Sequence, residues 1–191
     1  MTTTRDEPSD LSVTLSSLRK MPSPGFGVYR SWGDRCLQSC TRALAAGYRH
    51  IDTGQFYNNE AEVGEAIRRS GIPRAEIFIT TKLLTPQDDF DKTYSQCLQS
   101  IAMLDSPSGY VDLFLIHSPH RGREKRMFMW QVMEALYVTG FAKSIGVSNF
   151  GIQHIEEIRE CAVWPPHVNQ IEVGENVSIR NGPGRDAKAL H

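Results

Sequence analysis

Four side chains that can exchange protons stand at or just after the ends of three strand-like segments. Asp52 lies at the end of a short strand-like segment with Tyr57 shortly after it, and Lys82 and His117 each end a later segment. These groups are a carboxylate, a phenol, an amine and an imidazole. In a (β/α) barrel, the carboxyl ends of the strands carry the reacting groups. The spacing therefore predicts one shared site for acid–base chemistry.

The elements that must position these groups alternate between strand and helix. Residues 11–15, followed by a turn at Ser16 and Ser17, predict a short hairpin at the start. Apolar and β-branched runs predict six further strands, and apolar residues at helical spacing predict five helices between them. The predicted strands are 25–29, 50–53, 77–83, 110–116, 144–147 and 168–173, and the predicted helices are 33–46, 60–70, 88–104, 127–137 and 151–161.

Strands separated by helices predict a parallel α/β sheet with right-handed crossovers. A doubly wound sheet that binds a dinucleotide would carry Gly-x-Gly-x-x-Gly after its first strand. Here Gly25 and Gly27 lie inside the strand, and a third glycine is missing. A (β/α)₈ barrel of the TIM type is favoured, although a closed one needs eight strands. We therefore expect an incomplete barrel of about six βα units, with strands seven and eight missing.

Composition excludes several classes of function. A formal net charge of −1 does not provide the concentrated basic surface that captures nucleic acid. No segment reaches the ~20 apolar residues that span a bilayer. Residues 1–10 are polar and acidic, without an apolar signal core, so we expect a disordered N-terminus and a cytoplasmic location.

The remaining charged and sulfur-bearing groups predict no second site. The basic cluster at 121–126 is interpreted as a solvated loop. Cys36 and Cys40 are four positions apart on a predicted helix, but no other cysteine or histidine pair completes a zinc pattern. We expect reduced thiols and no metal site.

Seven motifs together resemble the aldo-keto reductases, and they occur in the order of that family over roughly residues 11–173. They are GFG at 25–27, GYRHIDT at 47–53, YNNE at 57–60, TTKL at 80–83, VDLFLIHSP at 111–119, SIGVSNF at 144–150 and VNQIE at 168–172. The resemblance implies a (β/α)₈ barrel that reduces small aldehydes or ketones with NADP(H). It also implies a monomer, without nucleic-acid or membrane partners.

The resemblance also assigns roles to individual residues. The catalytic residues it implies are Tyr57, Asp52, Lys82 and His117. The cofactor-binding residues it implies are Gly27, Val28, Asp52, Ser148, Asn149 and Gln170. Among the latter, Ser148, Asn149 and Gln170 would hydrogen-bond the nicotinamide carboxamide, and the backbone near Gly27 and Val28 would line the nicotinamide ring.

Carbonyl reduction explains why these residue types are needed. The cofactor supplies a hydride to the carbonyl carbon, and the protein supplies a proton to the developing alkoxide. An ammonium group at Lys82 is expected to lower the pKa of Tyr57 from its usual value of about 10. Asp52 would keep Lys82 charged and oriented, and His117 would direct the carbonyl oxygen or share the proton transfer.

The resemblance ends after about Val173, where residues 174–191 form a divergent tail that we expect to be irregular. The family's last two strands, and the segment with which it binds the adenosine 2'-phosphate, have no counterpart in this sequence. Three interpretations stay open. The chain is an active reductase with a raised cofactor KM, a non-catalytic or regulatory barrel fragment with weak or no cofactor binding, or an incomplete product without a stable fold.

Overall fold

A computed structural model describes residues 11–106 and 109–172 of the 191-residue chain. The described part begins with an antiparallel hairpin of β1 (Ser12–Thr14) and β2 (Lys20–Pro22), which confirms the predicted hairpin. The expectations of a disordered segment at 1–10 and an irregular tail at 174–191 lie outside the described residues.

Six parallel strands follow the hairpin and are separated by five helices, as the sequence pattern predicts. The strands pair in chain order, so each strand lies beside the next one. They are β3 (Phe26–Gly27), β4 (His50–Asp52), β5 (Phe78–Leu83), β6 (Leu113–Ile116), β7 (Ile145–Ser148) and β8 (Val168–Gln170). The helices are α1 (Gly33–Ala45), α2 (Glu60–Ser70), α3 (Phe90–Leu104), α4 (Arg123–Val138) and α5 (Ile152–Arg159).

The sheet is curled rather than flat. Strands β4 and β8 are four positions apart in the strand order. At a strand spacing of about 4.8 Å they would be roughly 19 Å apart in a flat sheet. Yet the Gln170 side chain at the end of β8 contacts the Asp52 side chain at the end of β4 at 2.8 Å. The six strands therefore wrap around a common axis as an incomplete barrel.

The two faces of the curled sheet form two separate cores, because side chains alternate along each strand. The outer face packs against the helices, with Ile51, Ile79 and Phe114 fully buried there. Each helix presents a stripe to this core: in α1 it consists of Cys36, Cys40, Ala43 and Leu44. The inner face is lined by the alternate residues, and it is this face that carries the polar side chains at the strand ends.

The hairpin fills the amino-terminal end of the barrel interior. Leu15 and Met21 pack with Phe78, Leu113 and Leu115 in a second hydrophobic cluster. Burial of these side chains stabilises the fold by about 25 cal/mol for each Å² of apolar surface removed from water. The hairpin therefore closes one end of the interior and leaves the other end, where the strands terminate, open for a site.

The basic cluster at 121–126 is exposed over residues 121–125, as predicted, but it is a loop only at its start, and its last residue is buried. Helix α4 begins at Arg123, four residues before the predicted start, and includes the last four residues of the cluster. Arg126 is buried and its guanidinium donates to Glu157 on α5 and, at 2.8 Å, to the Pro119 carbonyl oxygen. Helical spacing carries this arginine inward, where its charge is paired rather than solvated.

Three further observations concern the described part of the chain. None of its helices combines the length and the apolar character needed to cross a bilayer. It contains no group of three or more histidine, cysteine, aspartate or glutamate side chains placed to hold a metal ion. All four cysteines are free thiols, with Cys36, Cys40 and Cys97 buried and Cys161 exposed.

Candidate active site

An ion pair between Lys82 and Asp52 lies at the base of the open end of the barrel. Both side chains point inward because each continues the inner face of its strand. The Lys82 Nζ donates to Asp52 Oδ1 and, at 2.8 Å, to the Thr53 carbonyl oxygen. The Lys82 side chain is only 1% exposed, and a buried amine is costly unless it is paired. Burial lowers the pKa of Lys82 while the Asp52 carboxylate opposes that change.

Tyr57 reaches the same place from a single helical turn after β4 that spans Gln55–Tyr57. The chain leaves this turn through Asn58, whose φ of 54° is a left-handed conformation that asparagine tolerates well. The Lys82 Nζ lies 5.1 Å from the centroid of the Tyr57 ring. The His117 ring centroid is 5.5 Å from that of Tyr57. The structure thus brings together all four residues that the sequence predicts to be catalytic.

The pKa of Tyr57 does not change in the predicted direction. Burial, together with the negative charge of Asp52, raises the pKa of Tyr57 to about 12. The expectation that Lys82 acidifies this phenol is wrong for this arrangement. The reason is geometric: the Lys82 charge is already paired with Asp52 and lies against the tyrosine ring. Tyr57 is therefore protonated throughout the neutral pH range.

His117 follows β6 and enters the cavity at the same level as Tyr57. Burial lowers the pKa of the His117 imidazole, and the nearby Lys82 charge lowers it further. Its Nδ1 atom is buried and has no hydrogen-bond partner within residues 11–106 and 109–172. The side chain is therefore a neutral imidazole, which can donate one N–H to a carbonyl oxygen.

A cavity of about 480 Å³ opens above these groups. Its walls are partly aromatic: the Tyr29 ring centroid is 5.0 Å from that of Tyr57, and the Phe56 ring centroid is 6.2 Å from that of His117. The cavity is lined by Tyr29, Phe56, Tyr57, Lys82, His117, Ser148, Asn149, Gln170, Ile171 and Glu172. An apolar cavity with a few convergent polar groups is the usual form of a small-molecule site.

The three polar residues predicted to hold a carboxamide line this cavity together. Ser148 and Gln170 are register partners on β7 and β8. Asn149 has a left-handed φ of 59°, and its Nδ2 donates to Ser148 Oγ at 3.2 Å. The Gln170 side chain is also engaged elsewhere, since its Nε2 donates to Asp52 Oδ2 at 2.8 Å.

Gly27 and Val28 are not part of this cavity wall. Val28 is buried, its N–H donates to the Asp52 carbonyl oxygen at 3.1 Å, and its own carbonyl accepts from Asn59. Gly27 is exposed, and a Cβ added to it would meet nothing within 4 Å. The strand therefore leaves open space beside Gly27, and a flat ring could approach its backbone there.

These features fit a nicotinamide cofactor. A hydroxyl and two amide side chains converge on the cavity. Amides and hydroxyls are the complementary donors and acceptors for a carboxamide. The residues that would hold such a group are Ser148, Asn149 and Gln170.

Sequence reasoning missed Asn59, a buried amide that holds three segments around the site. Its Nδ2 donates to the carbonyl oxygens of Val28 and Ser31 at 2.9 and 2.8 Å, and its Oδ1 accepts from Thr53 Oγ1 at 2.6 Å. Asn59 thus ties the loop after β3 to the end of β4 and the start of α2. The signal in the sequence was the position of Asn59, two residues after Tyr57. A buried amide at such a place must be fully hydrogen-bonded, and it can therefore fix the segments around a reactive group.

Comparison with known proteins assigns the chain to a family. The family model described as "Aldo/keto reductase family" matches residues 34–174. The chain belongs to the aldo/keto reductase family, and its described sheet is an incomplete (β/α)₈ barrel of that family's type.

Individual relatives agree with this assignment. The chain is 40% identical over 162 residues to the 9,11-endoperoxide prostaglandin H2 reductase of Trypanosoma cruzi. The matched region covers 84% of this chain and 56% of that protein. An aldo/keto reductase structure from Brucella melitensis superposes with a TM-score of 0.81 at 39% identity, covering 86% of this chain and 63% of that one. A Bombyx mori aldo-keto reductase in complex with NADP gives a TM-score of 0.77 at 30% identity, covering 87% and 59%. The chain thus spans little more than half the length of the relatives it matches.

Proposed function

We propose that this protein reduces aldehydes or ketones to alcohols with NADP(H), using Tyr57 as the proton donor. One observation carries the proposal. The ring centroid of the protonated Tyr57 lies 5.1 Å from the buried Lys82 ammonium and 5.5 Å from that of the neutral His117, beside a cavity that suits a small carbonyl compound. The cofactor is supported by the polar set at Ser148, Asn149 and Gln170 and by the relative that is bound to NADP.

Each side chain has a distinct part in this reaction. A nicotinamide held by Ser148, Asn149 and Gln170 would supply the hydride that reduces the carbonyl carbon. His117 donates a hydrogen bond that orients the carbonyl oxygen toward Tyr57. The Tyr57 hydroxyl gives its proton to the developing alkoxide, which is a much stronger base than a phenolate of pKa about 12. The Lys82 ammonium, held by Asp52, lies against the Tyr57 ring and keeps the phenol in place.

The raised pKa of Tyr57 makes the two directions of the reaction depend on pH in different ways. An acid catalyst must be protonated before the reaction, and Tyr57 is protonated at every pH near neutrality. Oxidation of an alcohol needs the phenolate as a base, and that form is scarce when the pKa is about 12. The proposal therefore predicts that reduction is nearly independent of pH near neutrality, whereas oxidation becomes faster as the pH rises.

The experiment is a comparison of Tyr57→Phe with the wild-type chain. NADPH oxidation is followed by its absorbance with an aromatic aldehyde as substrate, and NADPH binding is followed by fluorescence. We expect kcat to fall by about 10²–10⁴-fold, the usual contribution of a general acid, with NADPH binding little changed. Tyr48→Phe is the matched control, because the Tyr48 ring packs against Phe26 and does not line the cavity.

The outcomes separate the proposal from its alternative. A kcat of Tyr57→Phe equal to that of the wild type would refute the role of Tyr57 as the proton donor. A folded wild-type chain that neither binds NADPH nor turns over aldehydes would refute the reductase proposal. That second result would leave the family's barrel acting as a non-catalytic module.

A further inference from the structure

The two oxygens of the Asp52 carboxylate have two different partners. Oδ1 accepts from the Lys82 ammonium, and Oδ2 accepts from Gln170 Nε2 at 2.8 Å. The orientation of the Gln170 amide follows from chemistry, because an ionised carboxylate accepts hydrogen bonds and cannot donate them. The NH₂ group must therefore face Asp52, and Oε1 is the other end of the amide.

Gln170 is well placed to hold Asp52, since its own backbone is fixed. It is the last residue of β8, where it is paired with Ser148, and its carbonyl accepts from the Asn149 N–H at 2.8 Å. The hydrogen bond to Asp52 joins residues that are 118 positions apart in the chain. It crosses the open end of the barrel from the last described strand to the second strand of the sheet.

The same side chain also lines the cavity. No donor within residues 11–106 and 109–172 forms a hydrogen bond to Gln170 Oε1, so this oxygen can accept from an N–H of a ligand. A carboxamide NH₂ is a group of the right kind. One amide can therefore bond a ligand in the cavity with its oxygen and Asp52 with its nitrogen.

We propose that Gln170 is a positioning residue that acts through Asp52. It holds Oδ2 so that Oδ1 is presented to Lys82, and it thereby fixes the ammonium beside Tyr57. The orientation of Asp52 follows from the contacts above, whereas its link to the cofactor rests on the proposed function. Because the same amide would contact both Asp52 and the cofactor, loss of the Gln170–Asp52 bond should release the Gln170 side chain and weaken binding of the cofactor.

Gln170→Glu tests this proposal because it replaces the NH₂ by an oxygen without changing the size of the side chain. A carboxyl group next to the Asp52 carboxylate cannot ionise as readily as one in water. Below its pKa the introduced carboxyl donates O–H to Asp52 and imitates glutamine. Above it the two carboxylates repel each other and the arrangement is lost.

The first readout is the titration of the introduced carboxyl by isotope-edited NMR in the full chain without cofactor. We expect its pKa to lie at least about one unit above the ordinary glutamate value of about 4.3. In Asp52→Asn/Gln170→Glu that elevation should disappear, because the neighbouring charge is gone. The second readout is the NADP⁺ affinity, measured from protein fluorescence at pH 5 and at pH 8. The affinity of Gln170→Glu relative to that of the wild type should be at least about tenfold lower at pH 8 than at pH 5.

Gln99→Glu is the matched control, since Gln99 is exposed on α3 and the same chemical change there should give an ordinary carboxyl pKa. An ordinary pKa in Gln170→Glu, or an elevation that persists in Asp52→Asn/Gln170→Glu, would overturn the proposal. If the pKa is raised but NADP⁺ does not bind to the wild type, the positioning role stands and the proposed cofactor fails.

A second variant keeps the test decisive if Gln170→Glu does not fold. Gln170→Met removes the donor without adding charge, and its effect on the unfolding equilibrium is measured in the wild type and in Asp52→Asn. Neighbours that share a hydrogen bond give non-additive effects. Effects on the unfolding equilibrium constant that agree within about twofold in the two backgrounds would contradict the proposed contact.

Discussion

Replacement of Lys82 by methionine should destabilise the protein far more than the loss of one charge at a surface. Lys82→Met keeps the length of the side chain but removes the ammonium that donates to Asp52 and to the Thr53 carbonyl. Breaking a buried ion pair from one side costs about 3–5 kcal/mol, because the remaining charge is left without compensation. Asp52 keeps the hydrogen bond from Gln170 and its side chain is 15% exposed, so we expect about 3 kcal/mol.

The double variant should recover part of that loss. In Lys82→Met/Asp52→Asn neither charge remains, and uncharged replacement of both partners of a buried pair is often close to neutral. The measurement is urea unfolding of the four members of the cycle, followed by circular dichroism at pH 7. We expect a coupling free energy of about 1–3 kcal/mol between the two positions, as for residues in direct contact.

An exposed pair on α3 provides the matched control for this cycle. Lys92 Nζ lies 3.0 Å from Asp89 Oδ2, with side chains 63% and 51% exposed. Lys92→Met with Asp89→Asn makes the same chemical changes, and asparagine retains the helix cap that Asp89 provides. Exposed pairs are screened by solvent and couple only weakly. A coupling between Lys82 and Asp52 no larger than in this control would refute the view that the site rests on a buried ion pair.

Two further predictions concern pH. Burial raises the pKa of Glu60, which accepts from Thr81 Oγ1 at 2.5 Å, so folding favours its protonated form. Its contribution to stability is present below the unfolded pKa of about 4.3 and is lost as the pH rises through the folded pKa, by up to about 1.4 kcal/mol per pH unit. Urea unfolding at pH 5 and pH 8 should show this loss in the wild type and not in Glu60→Gln; equal losses would contradict it. Because the pKa of Tyr57 is about 12, kcat/KM for alcohol oxidation should rise about tenfold per pH unit from pH 7 to pH 10. The kcat/KM for carbonyl reduction should stay level from pH 7 to pH 9. A plateau of the oxidation rate near pH 8 would show an acidified tyrosine instead.

The sequence was sufficient to locate the elements and the face on which the site lies. Buried parallel strands are continuous apolar runs, so β5 and β6 could be recognised from residues 77–83 and 110–116. The period of two along a strand then predicts that Asp52 and Lys82 share a face. Helix starts were harder, because the charged first turn of α4 around Arg123 and Arg126 has the composition of a loop.

The electrostatics of the site could not be predicted, because they depend on distances that a sequence does not contain. The charge of Lys82 was expected to acidify Tyr57, which would be correct for an unpaired ammonium beside the hydroxyl. In the structure the ammonium is paired with Asp52 and faces the ring, so burial decides the pKa of the phenol. Two residues at the right positions are therefore not enough to assign a pKa.

The contact between Gln170 and Asp52 could not be predicted from local sequence, since it forms only when the sheet is curled. A motif search treats the two residues as separate, because they are 118 positions apart and belong to strands that are not neighbours. Curling brings the end of β8 to the end of β4, and the carboxylate then receives one donor from each side. The ion pair that orients the proton donor is thus completed by tertiary closure and not by any local segment. For that reason, changes that loosen the curl should disturb the site before they unfold the individual βα units.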